Sequence, residues 1–179
     1  MSRLIHRVKQ AGVYFVTTDT WQRRQIFLKP EPARILLEQL IECRDRGFYK
    51  LHSFAVMPEH LHILLTPGKD SALEKAMMMI KGGASHKIKK ELLYHSPIWM
   101  EGFHDRWIRD TTEYRLRKQN IEQNPVMAGL ATKSGDYAFG SASGKFQMDA
   151  SGFDEGASGA KAPAQQSSHV APEGATHKP

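Results

Sequence analysis

The sequence predicts an α+β fold, a ferredoxin-like split βαβ sheet with helices packed on it, and three observations carry that prediction. Segments patterned as strands and helices follow one another as strand, helix, strand, strand, helix, strand, helix. The second and third strands are separated only by Pro58-Glu59, a spacing that calls for a tight hairpin and hence antiparallel pairing. The 179 residues, 40% hydrophobic and 25% charged, suit one core of ordinary size.

Each element has a local cause. Gly12 to Thr18 is β-branched and aromatic, is bounded by Asp19, and reads as the first strand. Glu31 to Arg46 places Ile35, Leu36, Leu40 and Cys43 near one stripe, with proline at its start and Gly47 past its end, and reads as a helix. Phe48 to Met57 and His60 to Thr66 read as the hairpin strands. From Ser71, the apolar residues Leu73, Met77, Met78, Ile80, Ile88 and Leu92 suit a long amphipathic helix, with Gly82-Gly83 as a point of interruption. Ile98 to Trp107 reads as a short extended segment, and Thr111 to Asn124 as the last helix, stopped by Pro125.

The domain so assembled spans residues 1–150. From Ser151 to Pro179, 17 of 29 residues are Gly, Ala, Ser or Pro, a composition that buries too little to offset its ordering entropy and predicts a disordered tail. No apolar run is long enough to cross a bilayer and no signal peptide opens the chain, so the expected location is cytoplasmic, without a membrane partner. The single cysteine, Cys43, rules out an intrachain disulfide and a cysteine-rich zinc site. No glycine-rich phosphate loop is present, so no nucleotide cofactor is expected.

The net charge is +6, and because the last 29 residues carry −1, residues 1–150 carry +7. Ten basic residues against five acidic ones fall within 75–118. A polyanion is one partner such a balance suits; solvated helix faces account for it equally well. Lys81, Lys87 and Lys90 on the long helix, and Arg106 and Arg109 beside Trp107, are the candidates for phosphate contact. Met77-Met78-Met79 suits core or dimer surface, and a homodimer is left open.

The sharpest chemical signal is Met57-Pro58-Glu59-His60-Leu61-His62-Ile63. Strand side chains alternate, so His60 and His62 share a face about 7 Å apart while Leu61 and Ile63 take the other. Two imidazoles so placed can chelate one divalent ion, or can line a polar, solvent-facing strand. Asn120 and Asn124 share a face of the last helix, and Asn124 can offer an amide oxygen to an ion or cap the helix before proline.

With these motifs in order, the chain resembles the REP-associated tyrosine transposases, a branch of the single-strand HUH-type transposases. The resemblance runs from about Gly12 to Lys145 and rests on the run at 57–63, the Lys81-Gly82 step, Trp99 to Arg106, Ile108-Arg109-Asp110, Ile121-Glu122-Gln123-Asn124-Pro125 through Leu130, and Ser141 to Lys145. It implies binding of hairpin single-stranded DNA and metal-assisted strand cleavage and joining. His60, His62 and Asn124 would hold Mg²⁺ or Mn²⁺, and a helix tyrosine would attack the scissile phosphate to form a phosphotyrosine. The departure is Asn120, which stands where the family has that tyrosine. Tyr114, the one tyrosine in this helix, lies six residues earlier, about 240° round the helix after whole turns. A displaced helix would be needed to bring it into the same position. Two other classes stay open: a non-catalytic nucleic-acid-binding regulator built on a ferredoxin-like sheet, and a small-phosphoester hydrolase, for which the carboxylates are few.

Overall fold

The computed structural model describes residues 11–154. Four strands, β1 (Tyr14–Asp19), β2 (Tyr49–Met57), β3 (His60–Pro67) and β4 (His104–Trp107), form one antiparallel sheet in the order β2-β3-β1-β4. β3 is inserted between β1 and β2, which is the split βαβ arrangement expected from the sequence. The helices are α1 (Pro30–Asp45), α2 (Leu73–Glu91) and α3 (Thr111–Met127). No helix among the described residues is long and apolar enough to cross a membrane.

Strand alternation divides the core into two layers. Val16, Leu61, Ile63, Leu65, Leu51 and Phe54 bury against α1 and α2, whose apolar stripes supply Leu36, Leu40, Met77, Ile80 and Ile88. Ala55, Met57 and Leu64 face the other way and pack on Tyr114 and Ile121 of α3. The sheet is therefore covered on both faces. Tyr49 and Phe54 point into the α1/α2 layer, so β2 does not present the exposed aromatic pair that sheet-based RNA binding uses.

Three boundaries differ from expectation. Helix α2 runs unbroken through Gly82-Gly83. Gly83 instead permits a close helix crossing: an added Cβ would collide with the Gln39 amide, which donates to Met79 O at 3.0 Å. Pro125 does not stop α3, which continues to Met127. The stop is Gly129, in the left-handed region at φ +70°, with Gly129 N–H donating to Val126 O and Leu130 N–H to Pro125 O. So near the end of the helix, the proline ring forfeits a single backbone bond while occupying a buried position. Met78 and Leu92, expected on the apolar stripe, are exposed.

The third difference concerns the tail. Residues 137–154 run along the outer edge of β2: Val56 N–H donates to Phe139 O, and Tyr137 Oη donates to Val56 O at 2.6 Å. Asp149 accepts from Arg44 Nε and Nη2 at 2.8 and 2.7 Å and from the Leu51 amide at 2.7 Å. Ser151–Asp154, placed in the tail by composition, pack instead on α3 through Phe153 and Asp154. The remainder of that segment, 155–179, lies outside the described residues. The strap closes an otherwise open sheet edge.

Candidate functional site

His60 and His62 lie on the α3 side of β3, their ring centroids 4.4 Å apart. Register decides their surroundings. Thr17 lies opposite His62 in β1, and its Oγ1 is 2.8 Å from His62 Nδ1. With its proton on Nδ1, the ring donates to Thr17 and keeps the Nε2 lone pair for a ligand. The Phe15 ring stacks on His62 at 5.6 Å. His60 opens β3 opposite Asp19, and its Nδ1 is buried without a hydrogen-bond partner. The nearest carboxylate oxygen, Glu59 Oε1, is 3.5 Å away. Arg23 holds both acids, donating to Asp19 Oδ1 at 2.8 Å and to Glu59 Oε1 at 3.1 Å. Its backbone and that of Gln22 lie in the left-handed region at φ 51° and 54°.

Burial lowers the pKa of both imidazoles. At His62, with the His60 ring adding to the effect, it falls to about 3; at His60 the Glu59 carboxylate opposes the shift without cancelling it. Both rings are neutral at pH 7, so their lone pairs are available to an electrophile. Among the described residues no group of three or more His, Cys, Asp or Glu is placed to hold a metal ion. A cation here would need a donor of another type beside the two histidines.

Helix α3 offers one. Tyr114, Ile121 and Pro125 form its buried line. At 100° per residue, Arg117, Asn120 and Asn124 fall on one flank of that line, at i, i+3 and i+7. The Arg117 guanidinium sits 5.3 Å over the Phe15 ring, which stacks on His62, so this flank is the one turned toward β1 and the histidines. Asn120 is exposed and Asn124 half-buried. Asn124 does not cap the helix end; its carbonyl accepts from Ala128 N–H. Two neutral imidazoles, one with an orphaned buried nitrogen, beside an amide-bearing flank suit a divalent cation that takes both nitrogen and oxygen donors.

Tyr114 has a different setting. It is 1% exposed, meets His52 edge-on and Phe153 in a tilted contact, and its hydroxyl donates to Asp154 Oδ2 at 3.0 Å. Burial, with the Asp154 charge adding to it, pushes its phenol up to about 12. It remains on the buried line, away from the direction of Asn120, and no displacement of α3 brings it round. Its place is in the packing of the strap.

The basic residues also separate. Lys81 points back into the fold, where Nζ donates to the carbonyls of Met100 and Gly102 and lies over the Trp99 ring. Lys87 pairs with Glu42 of α1 at 2.6 Å, and Arg106 pairs with Glu113. Lys90 and Arg109 are exposed. Trp99 is half-buried against Phe27, whereas Trp107 is 39% exposed on β4. α2 packs on the sheet face opposite the histidines, so its lysines do not line the imidazole pair. The sequence reading missed Phe15, Thr17, Arg23 and Arg117, because the first two are joined to the site by register and the arginines by tertiary packing.

Residues 8–123 match the family model described as "Transposase IS200 like". A REP-associated tyrosine transposase of Escherichia coli (strain K12) is 29% identical over 132 residues, 73% of this chain and 76% of that protein. A solved structure of a REP-associated tyrosine transposase bound to a REP hairpin superposes with a TM-score of 0.65 at 24% identity, covering 85% of this chain and 92% of that one.

Proposed function

The chain belongs to the IS200-like transposases, and on that footing we propose that it binds hairpin single-stranded DNA and presents one strand to the His60–His62 face, with the covalent step lost. The observation that carries the reading is the pair of neutral, adjoining imidazoles beside the Asn120–Asn124 flank. The relative seen with a REP hairpin supports the choice of DNA.

His60, His62 and Asn124 would hold Mg²⁺ or Mn²⁺. The ion would supply positive charge to the non-bridging oxygens of a phosphodiester. The Thr17 hydroxyl engages His62 Nδ1 and so orients that ring, and the Arg23-held Glu59 carboxylate sits beside His60. Lys90 and Arg109, exposed to solvent, supply charge along the backbone of the DNA, and the exposed Trp107 supplies a ring for an unpaired base. Asn120 occupies the position of the family's tyrosine, and a carboxamide has no ionisable oxygen with which to accept the phosphoryl group. The strand is held and not cut.

The test is a metal titration by calorimetry combined with hairpin-DNA binding, on wild type and on the His60→Ala/His62→Ala variant. Wild type is expected to bind Mn²⁺ and to bind DNA more tightly in its presence; the double variant loses both. Equal Mn²⁺ affinity and equal DNA affinity in the two proteins would refute the metal site.

A further inference from the structure

We propose that Arg117 is a phosphate-binding residue, gripping a phosphodiester of the single strand next to the histidine pair. The inference deepens the hairpin-DNA reading and rests on it. Three observations carry it. Arg117 lies with its guanidinium 5.3 Å over the Phe15 ring, Phe15 stacks on His62 at 5.6 Å, and His62 meets His60 edge-on at 4.4 Å, which places the cation one ring away from the imidazoles. It heads the flank of α3 that continues through Asn120 and Asn124. Its charge is also left uncompensated: among the described residues its Nε is buried without a hydrogen-bond partner.

Neighbouring cations differ on that last point. Arg106 is tied to Glu113, Lys118 lies 3.8 Å from Asp154, and Arg23 spans Asp19 and Glu59. Among the described residues, Arg117 has only the face of an aromatic ring. A partly buried guanidinium without a counter-ion is costly to maintain and is well suited to an anion supplied from outside. Its planar fork matches two oxygens of a phosphate, and stacking on Phe15 orders the fork in advance.

The experiment uses the full chain as wild type, Arg117→Gln and Arg117→Lys. Two probes are bound across a salt series: a hairpin oligonucleotide with randomised single-stranded extensions, and the same pool with neutral methylphosphonate linkages in the extensions. Arg117→Gln is expected to bind the native pool about tenfold more weakly, with a log–log salt slope shallower by about 0.7, the value for one phosphate contact on a single strand. The difference should vanish on the neutral pool. Arg117→Lys should recover the slope and only part of the affinity, because an ammonium lacks the fork. Far-ultraviolet circular dichroism of the DNA-free variants should match wild type, which reports an intact fold.

Arg117→Gln binding like wild type, or losing equally on both probes, would overturn the assignment. Should the histidine variants lose their metal response while Arg117→Gln is silent, the Arg117 assignment falls and the metal site stands. The reverse pattern keeps Arg117 and removes the metal. Wild type that binds neither probe overturns both.

Discussion

Replacing Asp149 with alanine is expected to destabilise the protein by about 3 kcal/mol, and the structure says where that energy lies. The variant keeps the backbone bonds from Asp149 N–H to Leu51 O and from His52 Nδ1 to Asp149 O. It loses the two-point Arg44 pair, whose side chains are 19% and 26% exposed, and strands the amide of fully buried Leu51. A pair of that exposure contributes about 1–2 kcal/mol, and an unsatisfied buried amide costs about 1–3 kcal/mol. For a domain of this size the sum lowers Tm by about 6–12 °C. Asp149→Asn keeps an acceptor for Leu51 N–H and should cost about half as much. Urea unfolding of both variants with Arg44→Ala closes a double-mutant cycle. Asp149→Ala within about 0.5 kcal/mol of wild type would refute the strap as a structural element, and Asp149→Asn as costly as Asp149→Ala would place the energy in the charge alone.

Stability should fall as pH drops below about 6.5, the ordinary histidine value, because burial lowers the pKa of His52, His60 and His62 in the folded state. Their contribution is whole above that value and is lost as pH falls toward the folded ones; a flat unfolding midpoint from pH 7.5 to 5 would contradict it. Lys81→Met should cost about 1–2 kcal/mol through the lost Met100 and Gly102 carbonyl contacts while leaving the salt slope of DNA binding unchanged, and Lys90→Ala should do the opposite. The reversed pattern would return Lys81 to the DNA surface. Tyr114→Phe should cost about 1 kcal/mol by urea unfolding, since Asp154 keeps its Ser151 bonds. A loss of DNA binding with no loss of stability would give Tyr114 a role at the site.

The sheet was legible because its causes are local. Two-residue spacing at Pro58-Glu59 allows only a hairpin, and the alternation from His60 to Leu65 sorts imidazoles from core. Helix ends were legible at Gly47, which stops α1 in the left-handed region, and misread at Gly82-Gly83, which α2 runs through, and at Pro125, which α3 passes before stopping at Gly129. In β2 the register shifts between Leu51 and Ser53, so His52 turns toward Tyr114 while Leu51 and Phe54 stay in the α1/α2 layer. Strand pattern alone does not carry such a shift. The fates of the lysines were hidden for a related reason. A basic helix face looks alike whether its cations meet solvent or, like Lys81 and Lys87, find a carbonyl pair and a glutamate that lie 19 or more residues away in the chain. Composition placed Ser151–Asp154 in a tail because it does not register that one aspartate can accept from a buried tyrosine and from Ser151 at once.

The proposed function is that of a transposase scaffold whose nucleophile position is filled by an amide. It is tested most directly by incubating wild type and Asn120→Tyr with Mn²⁺ and a labelled hairpin single strand, then resolving the products on a denaturing gel. Asn120 is exposed on α3, so the substitution leaves the core untouched. A protein-linked DNA fragment is expected from the variant and none from wild type. An adduct formed by wild type would contradict it, since some other side chain would then be accepting the phosphoryl group.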